Sequence, residues 1–214
     1  MTEHNFEQLR RAMVVSQLRT TGVSDATVVA AMGKVAREGF VPADKAPLAY
    51  LDIAVPLGGG RAINPPMVTG RLLTAAEIQA GDRVLLIGAA TGYTAALLIA
   101  LGTSVVAVEE DAALAAQGRA NVPAAEWVEG PLTAGAPGSA PYDLIVVDGA
   151  IEQIPAALTD QLADGGRFVG AIVENGVVRL ATVAKGGTGF GFRVFADADA
   201  AVLPGFARPR AFQF

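Results

Sequence analysis

The side chains that could do chemistry in this chain of 214 residues are few and of limited type. There is no cysteine, and the single histidine, His4, lies close to the N-terminus. Disulfides, thiolate metal sites and a cysteine nucleophile are therefore excluded, and a Ser-His-Asp triad or a multi-histidine metal site is not expected. Chemistry falls to carboxylates, backbone groups or a bound cofactor. Three features suit that role. The run Gly88-Ala89-Ala90-Thr91-Gly92 sits where a strand turns into a helix, the place where doubly wound folds bind nucleotide-bearing ligands. Glu109 follows about 21 residues after Gly88, the spacing at which an acid accepts ribose hydroxyls. Asp148-Gly149 closes a later strand and would face the same cleft.

Each feature also has a plainer reading. A Gly-x-x-x-Gly run can be simple helix–strand packing, Glu109 a solvated strand end beside Glu110 and Asp111, and Asp148 a turn aspartate. Ala90 fills the middle glycine position of a dinucleotide turn, so a pyrophosphate cradle is less expected. S-adenosylmethionine carries no phosphate, and a looser turn suffices for it.

These residues must be positioned by an α/β domain. Arg83 to Ile87, Ser104 to Val108, Trp127-Val128, Tyr142 to Asp148 and Gly166 to Val173 read as strands, with helices over 92–101, 111–120 and 154–162 between them. Alternating strands and helices give a parallel sheet with helices on both faces. Beyond it, Val177 to Val183, Phe190 to Phe195 and Pro209 to Phe214 read as antiparallel strands. Before it, residues 5–20 are expected to be helical, Ser24 to cap a second helix, and residues 39–62 to form a long structured loop. Asn64 is expected to cap a helix running to about Gln79, with Pro65 at its first position. The expected organisation is one domain over 1–214: a helical section and acceptor loop (1–80), a cofactor-binding core (81–175) and antiparallel strands (176–214).

Composition agrees with a globular domain. Hydrophobic residues make up 52% of the chain and charged residues 17%, enough for a sizeable core. The net charge of −5 and a pI near 4.9 argue against nucleic acid as a partner. Glu3, Glu7, Arg10 and Arg11 interrupt any leader-like stretch, and the longest apolar run is too short to span a bilayer. No membrane association and a cytoplasmic location are expected.

The chain resembles the protein-L-isoaspartate O-methyltransferase family from about residue 12 to 204. Val35-Ala36-Arg37-Glu38-Gly39-Phe40-Val41-Pro42 resembles that family's "VPRExFVP", Ala49-Tyr50-Leu51-Asp52 its "AYxD", and Pro56-Leu57-Gly58-Gly59-Gly60 its "PIGxGQ". Val84 to Gly88 resembles "VLEIG", Thr91-Gly92-Tyr93 "SGY", and Ala140 to Asp143 "APYD". Pro155, Leu158, Gln161-Leu162 and Gly165-Gly166-Arg167 match "PxxLxxQLxxGGR". The resemblance implies a Rossmann-like fold and S-adenosyl-L-methionine as cofactor. It also implies methyl transfer to the free carboxylate of isoaspartyl residues in damaged proteins. It assigns Gly88, Ala89, Thr91, Gly92, Tyr93, Glu109, Gly130 and Asp148 to the cofactor. Asp52, Pro56, Gly60, Arg61 and Ile63 fall to the acceptor loop, and Asn64 to the catalytic position.

The departures cluster at that site. The family's "GQTIS" is Gly60-Arg61-Ala62-Ile63-Asn64 here, so Asn64 replaces the serine associated with catalysis. The acid of "VLEIG" is Leu86, and a "GDG" turn is Gly130-Pro131-Leu132. Asn64 then either keeps only a helix cap or orients the acceptor carboxylate, and Arg61 is a surface charge or a carboxylate-binding group. Tyr50 and Trp127 read as packing. Three functions follow: an isoaspartyl methyltransferase or a relative with another acceptor, a non-catalytic descendant, and an RNA methyltransferase, which the acidic pI disfavours.

Overall fold

A computed structural model describes residues 3–186 and 189–208, with side chains from residue 5 onward. The strand expected over 209–214 and the side chain of His4 lie outside the described residues.

The N-terminal section is helical but not one helix. α1 (Glu3–Met13) passes into a π-helical turn (Val14–Leu18), and α2 (Ala26–Lys34) follows. Asp25 rather than Ser24 caps α2, its carboxylate accepting from the amides of Thr27 and Val28. The expected loop over 39–62 is more ordered than its prolines suggested. It holds 3-10 turns (Arg37–Phe40 and Ala43–Leu48) and a two-stranded hairpin, β1 (Val55–Gly58) with β2 (Arg61–Ile63). Gly58, Gly59 and Gly60 all have positive φ, which closes the hairpin. α3 (Pro66–Ala75) starts one residue later and stops earlier than read from sequence: Pro65 is its cap, it ends four residues before Gln79, and Glu77 turns left-handed with φ 51°.

The core sheet contains β3 (Arg83–Ile87), β4 (Ser104–Glu109), β5 (Glu126–Glu129), β6 (Tyr142–Ile151), β7 (Leu162–Glu174), β8 (Val177–Gly186) and β9 (Gly189–Asp197). Their order is β5-β4-β3-β6-β7-β8-β9. β3 pairs parallel with both β4 and β6, as Val84 opposite Val105 and Leu144 shows. β4–β5 and β6–β7 are also parallel, while β7–β8 and β8–β9 are antiparallel. This is the expected Rossmann-like, doubly wound, mostly parallel sheet with antiparallel strands at one edge.

Alternation along the buried strands sorts their side chains to two faces. Val84, Leu86, Val105, Ala107, Leu144 and Val146 pack on the side of α1–α3 and α4 (Tyr93–Ala100). Leu85, Ile87, Val106, Val108, Ile145 and Val147 face the other way. α5 (Ala112–Asn121), capped by Asp111, packs against β4 and β5. The second face is thinly covered. α6 is only Ala156–Thr159, shorter than the expected 154–162, and 3-10 turns stand in for a further helix. The C-terminal segment completes that core with Leu203 and Phe206, 4% and 1% exposed.

Candidate functional site

Ligands in open α/β sheets bind outside the carboxyl ends of strands where the strand order reverses. Here that point lies between β4, β3 and β6, and it brings together Gly88–Gly92, Glu109 and Asp148. Gly88 and Gly92 have φ of 76° and 98°, and Ala90 between them is left-handed at 50°. The Ala90 amide thereby points at the Glu109 carboxylate and donates to Oε2 at 2.8 Å.

Glu109 is fully buried and already engaged at both oxygens. Its Oε1 accepts the amides of Glu110 and Asp111 at 3.0 and 3.1 Å and also pairs with the Arg61 guanidinium. Arg61 is 5% exposed, so its reading as a surface charge is overturned. The β1–β2 hairpin carries it over the end of β4. Sequence spacing could not show this, because the partners are 48 residues apart.

Asp148 lies just past the last β3 pairing, at Val147, but it does not close β6, which continues to Ile151. Its Oδ1 accepts the Asn64 amide at 2.8 Å and its Oδ2 the Thr94 hydroxyl at 2.5 Å. Burial raises the Asp148 carboxyl above its ordinary value, against the pull of Thr94, Asn64 and the cations Arg37 and Arg61.

Asn64 is fully buried and is not the helix cap. The cap position is Pro65, with no side-chain bond, and the first turn instead uses Asp52, whose Oδ1 accepts the Met67 amide at 3.0 Å. Pro65 and Pro66 have no N–H to offer, which frees Asn64 from the capping role. Its Nδ2 holds Asp148 and its Oδ1 accepts the Ala201 amide at 2.9 Å.

Arg37, from the "VPRExFVP"-like stretch, is the group that sequence reasoning left out of the site. It is fully buried, donating from Nε to Ala49 carbonyl oxygen at 2.7 Å and from Nη2 to that of Asn64 at 2.6 Å. Its guanidinium lies 4.7 Å from the Tyr93 ring centroid, and burial pushes its own pKa down. Thr94, too, gave no signal: its place in the first turn of α4 matters only because β6 runs alongside β3.

The remaining named positions divide between the cleft and its support. Thr91 donates to the Phe40 carbonyl oxygen at 2.6 Å, and Tyr93 is buried beneath Arg37. Ala89 is buried, and the Gly130 amide donates to the Glu109 carbonyl oxygen at 3.1 Å. Pro56 and Gly60 lie exposed on the hairpin, and Ile63 is buried in the first core. Trp127 packs on α5, where a Cβ at Gly118 would stand 2.1 Å from its ring. Tyr50 bonds Glu38 and receives Arg10 Nε at 2.9 Å. Both aromatics are structural.

The crevice is closed over Gly88. A Cβ there would lie 3.0 Å from two Leu203 carbons and 3.4 Å from Arg61 Nη2. What stays open beside it is a cavity of about 340 Å³ lined by Gly59, Arg61, Glu110, Asp111 and Pro204. In this conformation Leu203 and the Arg61–Glu109 pair lie against the Gly88 turn, on the side where doubly wound folds place a nucleotide-bearing ligand.

Comparison with known proteins gives a consistent family. Residues 9–193 match the family model described as protein-L-isoaspartate(D-aspartate) O-methyltransferase. The protein-L-isoaspartate O-methyltransferase of Methylorubrum populi is 42% identical over 164 residues, covering 75% of this chain and 77% of its own. That of Methanoculleus marisnigri is 43% identical over 168 residues, with 76% of each chain covered. Among solved structures, a protein-L-isoaspartate O-methyltransferase superposes with a TM-score of 0.78 at 24% identity. It covers 92% of this chain, which spans 66% of that one. The Plasmodium falciparum beta-aspartate methyltransferase in complex with S-adenosyl-L-homocysteine also gives 0.78, at 18% identity, covering 91% and 97%.

Proposed function

The chain belongs to the protein-L-isoaspartate(D-aspartate) O-methyltransferase family, and on that premise we propose that it methylates isoaspartyl carboxylates of damaged proteins or peptides in the cytoplasm, with S-adenosyl-L-methionine as methyl donor. The observation that supports this best is the meeting of the Gly88–Gly92 turn, Glu109 and Asp148 at the reversal point of the sheet. Among the described residues no helix is long and apolar enough to cross a membrane.

This chain's own residues have a definable task. A carboxylate acceptor is already ionised at neutral pH, so the protein needs to align it and exclude water rather than remove a proton. Asn64, Asp148 and Thr94 form a rigid buried wall, and Arg37 keeps it cationic on one side. The α3 N-terminus, by contrast, is a poor anion site: two prolines remove its donors and the Asp52 carboxylate already stands there.

The closed crevice favours a second reading, a relative that retains the fold without turnover. A labelled-methyl transfer assay on an isoaspartyl peptide decides between them. The first reading expects transfer above that of a peptide with ordinary aspartate. Equal counts on both peptides would remove isoaspartate as the acceptor.

A further inference from the structure

The crevice is shut by parts that fit it closely. Gly149, next to Asp148 on β6, has no Cβ, and one placed there would stand 2.5 Å from Leu203 Cγ and 2.7 Å from the Ala201 carbonyl oxygen. Gly88, just past the end of the neighbouring β3, leaves the same kind of space, filled by the tip of the Leu203 side chain. Leu203 therefore sits between two bare glycine faces at the carboxyl ends of β3 and β6.

The backbone around it runs beside β6 as a short added strand, with Val202 paired parallel to Ala150. The Ala150 amide donates to Ala201 carbonyl oxygen at 2.7 Å, and the Leu203 amide to that of Ala150 at 2.8 Å. Asn64 Oδ1 adds the third bond, to the Ala201 amide. Arg61 closes the adjoining side by taking Glu109, the acid whose free oxygens a ribose would need.

We propose that residues 200–206 are a strap that, together with Arg61, occupies the adenosyl crevice and competes with the cofactor for it. In the open form Leu203 leaves Gly88 and Gly149, and Arg61 leaves Glu109. Asn64 is then a positioning residue for the strap. This explains why two departures from the family pattern stand together: Arg61 pairs with Glu109 and Asn64 holds the Ala201 amide. Three hydrogen bonds hold the first half of the strap, and Val202 between the two bonded residues is 59% exposed, whereas Phe206 at the far end is buried in the core, so opening swings residues 201–203 about that anchor. When only the open fraction binds, the apparent dissociation constant rises by the inverse of that fraction.

The inference rests on the reading of the chain as a methyltransferase that uses S-adenosylmethionine, and the test separates the two. S-adenosylhomocysteine is titrated calorimetrically into the full chain and into Leu203→Ala, Arg61→Gln and the double variant, each checked for a cooperative thermal transition. Leu203→Ala is expected to bind about tenfold more tightly or better. Arg61→Gln is expected to move the same way, since Glu109 keeps its three backbone donors. Hydrogen exchange on the unaltered chain gives a readout free of folding losses. Saturating ligand is expected to speed exchange at the amides of Ala150, Ala201 and Leu203.

Variants that bind no tighter than the original chain, or ligand that slows exchange at those three amides, would overturn the strap. So would absence of binding in all four proteins. Tighter binding in the variants with no methyl transfer to an isoaspartyl peptide would uphold the strap and overturn the isoaspartyl reading instead.

Discussion

Asn64 and Asp148 stand 84 residues apart in sequence and share a buried hydrogen bond of 2.8 Å, through which the end of the β1–β2 hairpin is fixed to β6. The same amide group accepts the Ala201 amide. Asn64 is thus a three-way junction between hairpin, sheet and C-terminal segment. The family serine position is filled by a residue whose length lets it reach two partners at once.

Asn64→Ser shortens that reach and strands a buried carboxylate oxygen and the half-buried Ala201 amide. A cap substitution would be nearly neutral, since serine and asparagine cap equally well. The junction instead expects a loss of roughly 1–3 kcal/mol. At about 2–4 °C per kcal/mol for a chain of this size, the thermal midpoint should fall by several degrees. An unchanged midpoint would remove the junction role.

Asp148 makes stability depend on pH in a direction set by its burial. Its carboxyl is raised in the folded chain, so the native state holds the proton more tightly than the unfolded one. The contribution is fully present below the unfolded carboxyl value near 3.9, and it is lost as pH rises through the folded value. Asp148→Asn removes this dependence while leaving an oxygen for the Asn64 amide. The difference in unfolding free energy between the variant and the original chain should therefore grow in the variant's favour as pH climbs from 4 toward neutrality. A difference that stays flat over that range, or runs the other way, contradicts the assignment.

Arg37→Lys tests whether the buried guanidinium is held by geometry or by charge alone. Two carbonyl oxygens are taken by Nε and Nη2, and the plane lies over the Tyr93 ring. An ammonium cannot reproduce that fork. Chemical denaturation should show a loss of about 2–3 kcal/mol, by the scale of charged hydrogen bonds left unmade. Retained stability in the lysine variant would mean that charge is sufficient.

Gly118→Ala should overpack the α5–β5 contact, because the added carbon would meet the Trp127 ring. The expected cost is about 1–3 kcal/mol. Trp127 is the single tryptophan, so its emission reports any displacement directly. Gly130→Ala is the control, since nothing lies within 4 Å of the new carbon. Matching spectra for the two variants would refute the packing role of Trp127.

Much of the architecture is legible from residue types alone. Val84 to Ile87 and Val105 to Val108 are continuous apolar runs, as strands buried on both faces require, and both fall where expected. Errors came where local signals competed. Asn64 before two prolines looks like a cap, yet the prolines remove the donors a cap would serve. Prolines over 42–56 look like an irregular loop, yet Val55 to Ile63 closes a hairpin through three glycines with positive φ. The contents of the cleft were hidden for a different reason. Arg61 with Glu109, and Leu203 with Gly88 and Gly149, are contacts between distant segments that no periodicity encodes. Two glycines beside one large apolar residue become informative only once β3 and β6 are known to be neighbours.

On the proposed reading, a methyl-transfer crevice lies at the end of β3 and is held shut by the chain itself. The most direct test is labelled-methyl transfer from S-adenosylmethionine to an isoaspartyl peptide by the original chain and by the Arg61→Gln, Leu203→Ala double variant. Slow transfer by the original chain and a several-fold faster rate at low donor concentration by the double variant are expected. A double variant no faster than the original chain would contradict the shut crevice, and absence of transfer by both, with both folded, would remove isoaspartate as the acceptor.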